Sequence, residues 1–347
     1  MQIHSGSLAP LSAVTVDAPA RLHLGFLDPN ASLGRAFGSV GLTIDERGTR
    51  ITMRLAERMR IDGTRTDAER ARIERYMEQL RAAWGDSPVA IDVHRAPRAH
   101  TGLGSGTQLA LAVGTAFARL LGHASTSAEI ARLLGRGMRS GIGILGFDHG
   151  GLLVDGGPRN THDASGATAT DTPPLLFRQP FPETWRILLV DDTTREGLHG
   201  DEERRGLASL APFPQALAAH LCHLTLLRIL PGIAESDFDA FADGITELQQ
   251  TIGEYFAPVQ GGVFSSPAVA AALEAVARRQ TAGIGQTSWG PTGFAFIRSA
   301  KEAQHALAAA QDATRGRPGI TCAIVTGRNR GATLRAVDLQ KCGIDAG

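Results

Sequence analysis

Apolar and polar positions alternate in short runs at the start of the chain, over residues 14–17, 21–27, 40–44 and 50–55, with Pro, Gly and Asn between them. This predicts an N-terminal sheet of short strands. The period then lengthens. Over Asp67–Trp84, the residues Ile73, Tyr76, Met77, Leu80 and Trp84 recur at three- and four-residue steps, which places one apolar stripe on a helix. Residues 89–94 read as another strand. The glycine-rich stretch 97–107 runs directly into 108–121, which is apolar on every side and therefore predicts a buried helix.

Thr126 and Glu129 are spaced as a capping box that opens a further helix, through about Arg136. A glycine-dense stretch, 135–157, follows. Residues 162–182 are rich in Ala, Thr, Asp and Pro, lack either period, and read as a linker at a domain boundary. Beyond it come a strand at 185–191, helical stretches within 202–255, a helix at 267–279, two strands around Gly290, a helix capped by Ser299 and Glu302, and a strand at 320–326. The pattern describes an α/β protein of the two-domain α+β kind, residues 1–180 carrying the glycine-rich loop and residues 181–347 forming the second unit. No internal repeat is visible.

Composition narrows the chemistry. The 347 residues hold 35 basic and 35 acidic side chains, so no net field favours nucleic acid or an anionic membrane. Any anion must be recognised locally. Lysine is confined to Lys301 and Lys341, which leaves arginine, the planar bidentate partner of phosphates and carboxylates, as the main fixed cation. Cys222, Cys322 and Cys342 form neither a disulfide framework nor a zinc pattern. A reducing cytoplasm fits them. The first ten residues lack the features of a signal peptide, and no uninterrupted apolar run reaches membrane-spanning length, so neither export nor a membrane partner is expected.

The strongest local signal is Gly102-Leu103-Gly104-Ser105-Gly106-Thr107 at the mouth of the buried helix. Helix N–H groups and the helix dipole favour an anion there, and glycine lets the backbone approach phosphate. An ordinary turn is the competing reading, because the run is neither G-x-x-x-x-G-K-[ST] nor a dinucleotide fingerprint. Between residues 137 and 155, Arg139, Asp148, His149 and Asp155 stand among small residues that let a ligand come close. Asp155 reads equally well as a turn carboxylate, and His149 as an interior histidine. At 191–200 an apolar strand ends in a polar burst, where Arg195 and His199 are ligand candidates and Asp191 or Asp192 could equally be helix caps. Trp289 is either a core anchor or a flat surface for stacking.

The segment Ala18-Pro19-Ala20-Arg21-Leu22-His23-Leu24-Gly25 resembles the first motif of the GHMP superfamily, with Arg21 at its arginine. Pro97 with the run from Gly102 to Thr107 resembles the second motif, and the glycine-rich residues 283–293 stand where the third belongs. Three motifs in order span nearly the whole chain. The strings RLHLGF at 21–26, GLGSGTQ at 102–108, GFDHGG at 146–151 and GQTSWGPT at 285–292 resemble the phosphoribosyl-transferring branch, which belongs to methanopterin biosynthesis.

That resemblance implies an N-terminal domain like the second domain of ribosomal protein S5 and a ferredoxin-like C-terminal domain. It implies transfer of a phosphoribosyl group from phosphoribosyl pyrophosphate to 4-aminobenzoate or 4-hydroxybenzoate, with loss of CO2 and pyrophosphate. Asp148, Arg21 and His149 would be catalytic. His23, Gly102, Leu103, Gly104, Ser105, Gly106, Thr107, Gln108, Arg139, Arg195, His199, Ser288, Trp289 and Gly290 would bind substrate or phosphate. Mg2+ would arrive with the pyrophosphate, and Asp148 is the one residue named that could hold it. The superfamily's kinases carry a second serine after G-L-G-S, where this chain has Gly106 and then Thr107, so ATP is not expected; nor are PLP or NAD. A homodimer is left open. The alternatives are an ATP-dependent GHMP small-molecule kinase and a non-catalytic ligand-binding protein of the same fold.

Overall fold

The computed structural model describes residues 11–137, 139–159, 172–198 and 200–337. It opens on a long antiparallel hairpin, β1 (Ala13–Asp28) with β2 (Phe37–Leu55), paired from Ala13 opposite Arg54 to Asp28 opposite Phe37. Each strand replaces two shorter ones expected from the sequence. The register slips between Ala18 and Ala20 and again between His23 and Gly25. Pro19 has no N–H to give to a ladder, and a local slip lets the strand continue past it.

There follow β3 (Arg60–Asp62), α1 (Asp67–Trp84) and β4 (Val89–Arg95), with Ile73, Tyr76, Met77 and Leu80 of α1 buried as their spacing predicts. Next come α2 (Ser105–Leu120), α3 (Ser127–Leu133), α4 (Ile142–Asp148), β5 (Leu152–Asp155) and β6 (Leu175–Gln179). The second half holds β7 (Arg186–Asp192), α5 (Gly200–Ser209), α6 (Gln215–Leu224), α7 (Leu230–Ala234), α8 (Phe238–Gln260), α9 (Pro267–Ala277), β8 (Gly283–Gln286), β9 (Thr292–Ile297), α10 (Ala300–Ala313), β10 (Ile320–Val325) and β11 (Thr333–Val337).

One sheet runs β11-β1-β2-β4-β3, with β5 paired to both β2 and β6; the other runs β10-β7-β9-β8. Helix α2 is the axis of the first unit. Leu109, Leu111, Val113, Ala116, Phe117 and Leu120 are all buried in its core. Full burial of each large apolar side chain contributes roughly 1.5–3 kcal/mol, so the N-terminus of α2 is a fixed point.

Within the glycine-dense stretch α4 forms, with Ile142, Ile144, Leu145 and Phe147 buried. Two expectations need correction. The stretch read as a loop or linker is not one throughout: residues 162–171 lie outside the described residues, but β6 pairs with β5 inside the first sheet. The second unit does not keep its own C-terminus, because β11 returns to pair with β1, and the buried Arg328 reaches Asp17 at 2.9 Å and Asp45 at 3.3 Å. An apolar pattern can show that a strand exists, while its partner sheet is a long-range matter. Residues Gln215–Ala234 form one helical run whose mean hydropathy of 1.4 meets the length and composition needed to cross a membrane. Leu221, Leu224, Ile229, Leu230 and Ile233 of that run are packed into the core.

Candidate active site

The site grows from the N-terminus of α2. Its N-cap, Gly104, is left-handed (φ 77°) and offers no side-chain cap, so the first turn turns its N–H groups toward the loop without a covering side chain. Arginines flank this turn on both sides. A β-carbon on Gly104 would stand 3.0 Å from Cγ of Arg21, and one on Gly106 would stand 2.9 Å from a terminal nitrogen of Arg136. Arg21 donates to the carbonyl of Gly102, and its backbone N–H donates to Leu103 at 3.1 Å. Arg136 donates to Thr107 Oγ1 at 3.4 Å, while its buried Nε has no partner among the described residues. A buried unpaired donor is costly, and a ligand is one remedy.

The segment around Thr287–Gly290 docks on the glycine loop from the second sheet. Thr287 Oγ1 donates to Gly102 O at 2.9 Å and accepts from the backbone N–H of His23 at 2.9 Å. Gly290 lies so close to the backbone of Thr101 and Gly102 that a side chain would collide with it. The first and third glycine motifs thus meet across the second.

These elements enclose a cleft of about 780 Å3. One part is basic, lined by Arg21, Arg72, Arg75, Arg136, Arg139 and Arg204. Tyr76, on the same face of α1 as Arg72, reaches Gly106 O at 3.3 Å. The other part is aromatic and apolar, with Phe26, Ile252, Phe256 and Trp289. Phe256 and Trp289 stand 4.5 Å apart between ring centroids, tilted by 59°. His23 lies between the two, its ring edge-on to Phe26 at 4.5 Å.

Burial lowers the Arg21 guanidinium to about 10, Arg136 pushes it further in that direction, and Glu203 opposes them. Burial, with help from Arg21, lowers the His23 imidazole to about 3. His23 is therefore neutral near pH 7. Its Nε2 is buried without a partner among the described residues.

Arg21, expected to be catalytic, comes together here with most of the expected binding residues: His23, Gly102, Gly104, Ser105, Gly106, Thr107, Arg139, Ser288, Trp289 and Gly290 also line the cleft. Others do not. Leu103 is a core residue, and Gln108 is spent on Gly143 O at 2.7 Å. Arg195 bonds Ser265 O at 2.9 Å outside the cleft, and His199 lies outside the described residues. Asp148 and His149, expected to be catalytic, are exposed at the C-terminal end of α4, where Asp148 accepts from Ser127 Oγ at 2.5 Å. Ser140, which lines the cleft, precedes the N-cap of α4, and Asp148 stands at the other end of that helix. Asp155 is the turn carboxylate: wholly buried, it accepts from the N–H groups of Gly141 at 2.9 Å and Gly157 at 2.8 Å. Asp192 accepts from Ser266 and Thr194, and Asp191 from Thr292.

Sequence reasoning missed Arg72, Arg75, Arg136 and Glu203. Arg72, Arg75 and Tyr76 share a helical face beside the apolar stripe, and Arg136 stands between Gly135 and Gly137, so both had a faint local signal. Glu203 had none. Among the described residues no group of three His, Cys, Asp or Glu side chains could hold a metal by itself. A magnesium ion carried on a diphosphate would need few protein ligands, and among the described residues the one carboxylate lining the cleft is Glu203, already paired with Arg139.

Residues 71–151 match the GHMP kinases N terminal domain, and residues 229–314 match the GHMP kinases C terminal domain. The chain is 31% identical over 331 residues to a β-ribofuranosylphenol 5′-phosphate synthase of Methanothermobacter thermautotrophicus, covering 92% of this chain and 98% of the relative. To the protein of the same name from Archaeoglobus fulgidus it is 35% identical over 236 residues, 67% of this chain and 74% of that one. Among solved structures, mevalonate diphosphate decarboxylase from Staphylococcus aureus superposes with a TM-score of 0.63 at 15% identity, over 95% of this chain and 100% of that one. Homoserine kinase from Cytophaga hutchinsonii gives 0.59 at 16% identity, over 96% and 100%. The expected two-domain α+β fold is thereby confirmed.

Proposed function

The chain belongs to the GHMP superfamily and, within it, to the β-ribofuranosylphenol 5′-phosphate synthases, and from that premise we propose that it joins phosphoribosyl pyrophosphate to a 4-substituted benzoate with loss of CO2 and pyrophosphate. It is an enzyme of the pentosyltransferase type, acting on small molecules. The relatives' name specifies a phenol, which favours 4-hydroxybenzoate over 4-aminobenzoate as the acceptor. The observation that carries this reading is the two-part cleft, an arginine-flanked helix N-terminus joined to an aromatic chamber. The diphosphate suits the first and the benzoate ring the second.

In the reaction, the bond from the anomeric carbon to the diphosphate oxygen breaks, and the electron pair leaves on pyrophosphate. The ring carbon bearing the carboxylate forms the new bond to the anomeric carbon, helped by electron donation from the para hydroxyl. The bond to the carboxylate then breaks, CO2 leaves, and its electron pair restores the aromatic ring. No proton has to be removed from the ring, because CO2 departs in the position a proton would hold. A neutral His23 and a cleft without Asp148 are consistent with such a reaction, which asks for charge stabilisation and orientation rather than a strong base. Arg21, Arg136 and the first turn of α2 hold the diphosphate and favour its departure; the aromatic walls exclude water. Magnesium, when present, neutralises charge on the diphosphate. A cytoplasmic location is part of this reading.

Carboxyl-labelled 4-hydroxybenzoate, incubated with phosphoribosyl pyrophosphate and Mg2+, should release labelled CO2 without ATP. Retained label with ATP consumption would make the protein a kinase, and binding without turnover would make it a ligand-binding protein.

A further inference from the structure

Of the arginines that line the cleft, Arg21 donates to Gly102 O, Arg136 donates to Thr107 Oγ1, Arg139 pairs with Glu203 and Arg204 pairs with Asp201. The remaining two, Arg72 and Arg75 of α1, have neither an ion pair nor a side-chain hydrogen bond among the described residues. Three residues apart, they leave the same face of the helix, Arg72 half-buried and Arg75 exposed. Like charges that are neighbours on a helix surface repel one another, and here no acidic partner relieves them.

Tyr76 fixes where these two stand along the glycine loop. Its buried side chain, four residues after Arg72, donates from the hydroxyl to Gly106 O at 3.3 Å. Arg72 is thus about one helical turn, roughly 5 Å along α1, from the residue that touches the Gly106 end of the loop. Other elements cover the opposite end. Thr287 bonds Gly102 O, Gly290 packs on Thr101 and Gly102, and Trp289 stands in the same segment. Arg21 lies over Gly104, between the two ends. The loop therefore has an unpaired arginine couple at one end, the aromatic chamber at the other, and the arginine-flanked mouth of α2 in the middle.

We propose that Arg72 and Arg75 form a second anion subsite, which takes a phosphate monoester, the 5′-phosphate of phosphoribosyl pyrophosphate. The proposal rests on the reading that the mouth of α2 receives the donor's diphosphate. That donor carries anionic groups on both C1 and C5 of one ribose, so it needs two cationic places a sugar's width apart. With the diphosphate at Gly104, the anomeric carbon faces the aromatic end, where the acceptor ring lies, and C5 points the other way, toward α1. A phosphate monoester brings nearly two charges and three acceptor oxygens near pH 7, enough to engage both guanidiniums at once. Holding the sugar at two points also serves the reaction. A ribose tethered by its diphosphate alone could turn about the bond to C1, whereas a second anchor presents one face of C1 to the acceptor.

The test is calorimetric titration with ribose 5-phosphate and with pyrophosphate, joined to steady-state kinetics, of the parent, the Arg72→Gln/Arg75→Gln double variant and an Arg65→Gln/Arg70→Gln control. Arg65 and Arg70 lie near the start of the same helix and do not line the cleft, so the control removes the same charge elsewhere. The Arg72→Gln/Arg75→Gln variant should bind ribose 5-phosphate at least tenfold more weakly and pyrophosphate less than threefold more weakly. Its KM for phosphoribosyl pyrophosphate should rise at least tenfold, with that for 4-hydroxybenzoate nearly unchanged, and the control should stay close to the parent. Parental affinity for ribose 5-phosphate, an equal loss for pyrophosphate, an equal effect in the control, or a parent that binds no ribose 5-phosphate would overturn the proposal. A parent that binds ribose 5-phosphate through these arginines yet releases no CO2 from the benzoate would uphold the phosphate-ester subsite and overturn the donor reading instead.

Discussion

Arg21 lies directly over Gly104. A β-carbon at position 104 would come within 3.0 Å of its Cγ and 3.2 Å of its Nε, and the backbone there is left-handed at φ 77°. The guanidinium can cross the mouth of α2 because residue 104 has no side chain, and this couples the first glycine motif to the second.

Gly104→Val should therefore displace Arg21 and strain the loop at once. A side chain in the left-handed region costs roughly 1–2 kcal/mol, and more for a branched one. We expect a folded protein, somewhat less stable in thermal melts, whose pyrophosphate affinity is at least about tenfold weaker by calorimetry. Parental affinity would move the phosphate site elsewhere.

Arg21→Lys keeps a charge but loses the planar fork that bonds Gly102 O and, under the proposed function, would bond a phosphate as well. Its kcat/KM should fall by about 10- to 100-fold. Arg136→Ala should lose a comparable amount, mostly through the KM for phosphoribosyl pyrophosphate. Steady-state kinetics in both substrates distinguishes the two, and parental constants in both variants would remove them from the site.

Asp148→Asn should leave turnover at the parental level, contrary to the role its motif implies. Although Asp148 is exposed as a residue, partial desolvation of its carboxyl raises it from its ordinary value, with the Ser127 hydrogen bond and His149 acting against this. Asparagine can still accept from Ser127 and carries no charge, so its melting temperature should stay level or rise slightly near pH 7. A large loss of turnover in a folded variant would restore Asp148 to the mechanism.

Trp289→Leu and Phe256→Leu should each raise the KM for the benzoate by about tenfold and leave that for phosphoribosyl pyrophosphate nearly unchanged, because the two rings stand together in the apolar part of the cleft. The ratio of the two KM values is the informative measurement. An equal rise in both would mean that the rings only support the fold.

Stability against pH should show two opposed slopes. His23 is lowered from 6.5 to about 3 in the folded protein, so its contribution is present above pH 6.5 and is lost as pH falls toward 3. Asp155 is raised from 3.8 to about 6, chiefly by burial, so its contribution is present below pH 3.8 and is lost as pH rises through 6. The larger shift is that of His23, and the melting temperature should rise from pH 4 to 6.5. His23→Leu should flatten or reverse that rise. Asp155→Asn should steepen it, while lowering stability overall because an amide cannot accept from both Gly141 and Gly157. Identical slopes in all three proteins would place both titrations outside the folding equilibrium.

Much of the site is legible in the chain because its framework is local. The apolar run after residue 104 announces a buried helix, its preceding glycines announce an open N-terminus, and Arg21, Ser288 and Trp289 lie in strings that resemble one family. Asp148 stands outside the cleft for an equally local reason: Ser140, which lines the cleft, precedes α4, and the helix carries Asp148 to its exposed far end beside Ser127.

By itself the sequence determined the periods of its strands and helices, the burial of α2, and the glycine positions where backbone must approach backbone or an anion. These depend on residues within a few positions of one another. Only the tertiary structure decided that Arg72 and Arg75 from α1, Arg136 from the loop after α3, and Glu203 from α5 share one cleft with Arg21, and that β11 closes the first sheet. Charge acts through space, and which charges meet follows from helix docking and strand register across more than a hundred residues, distances over which no local pattern carries information.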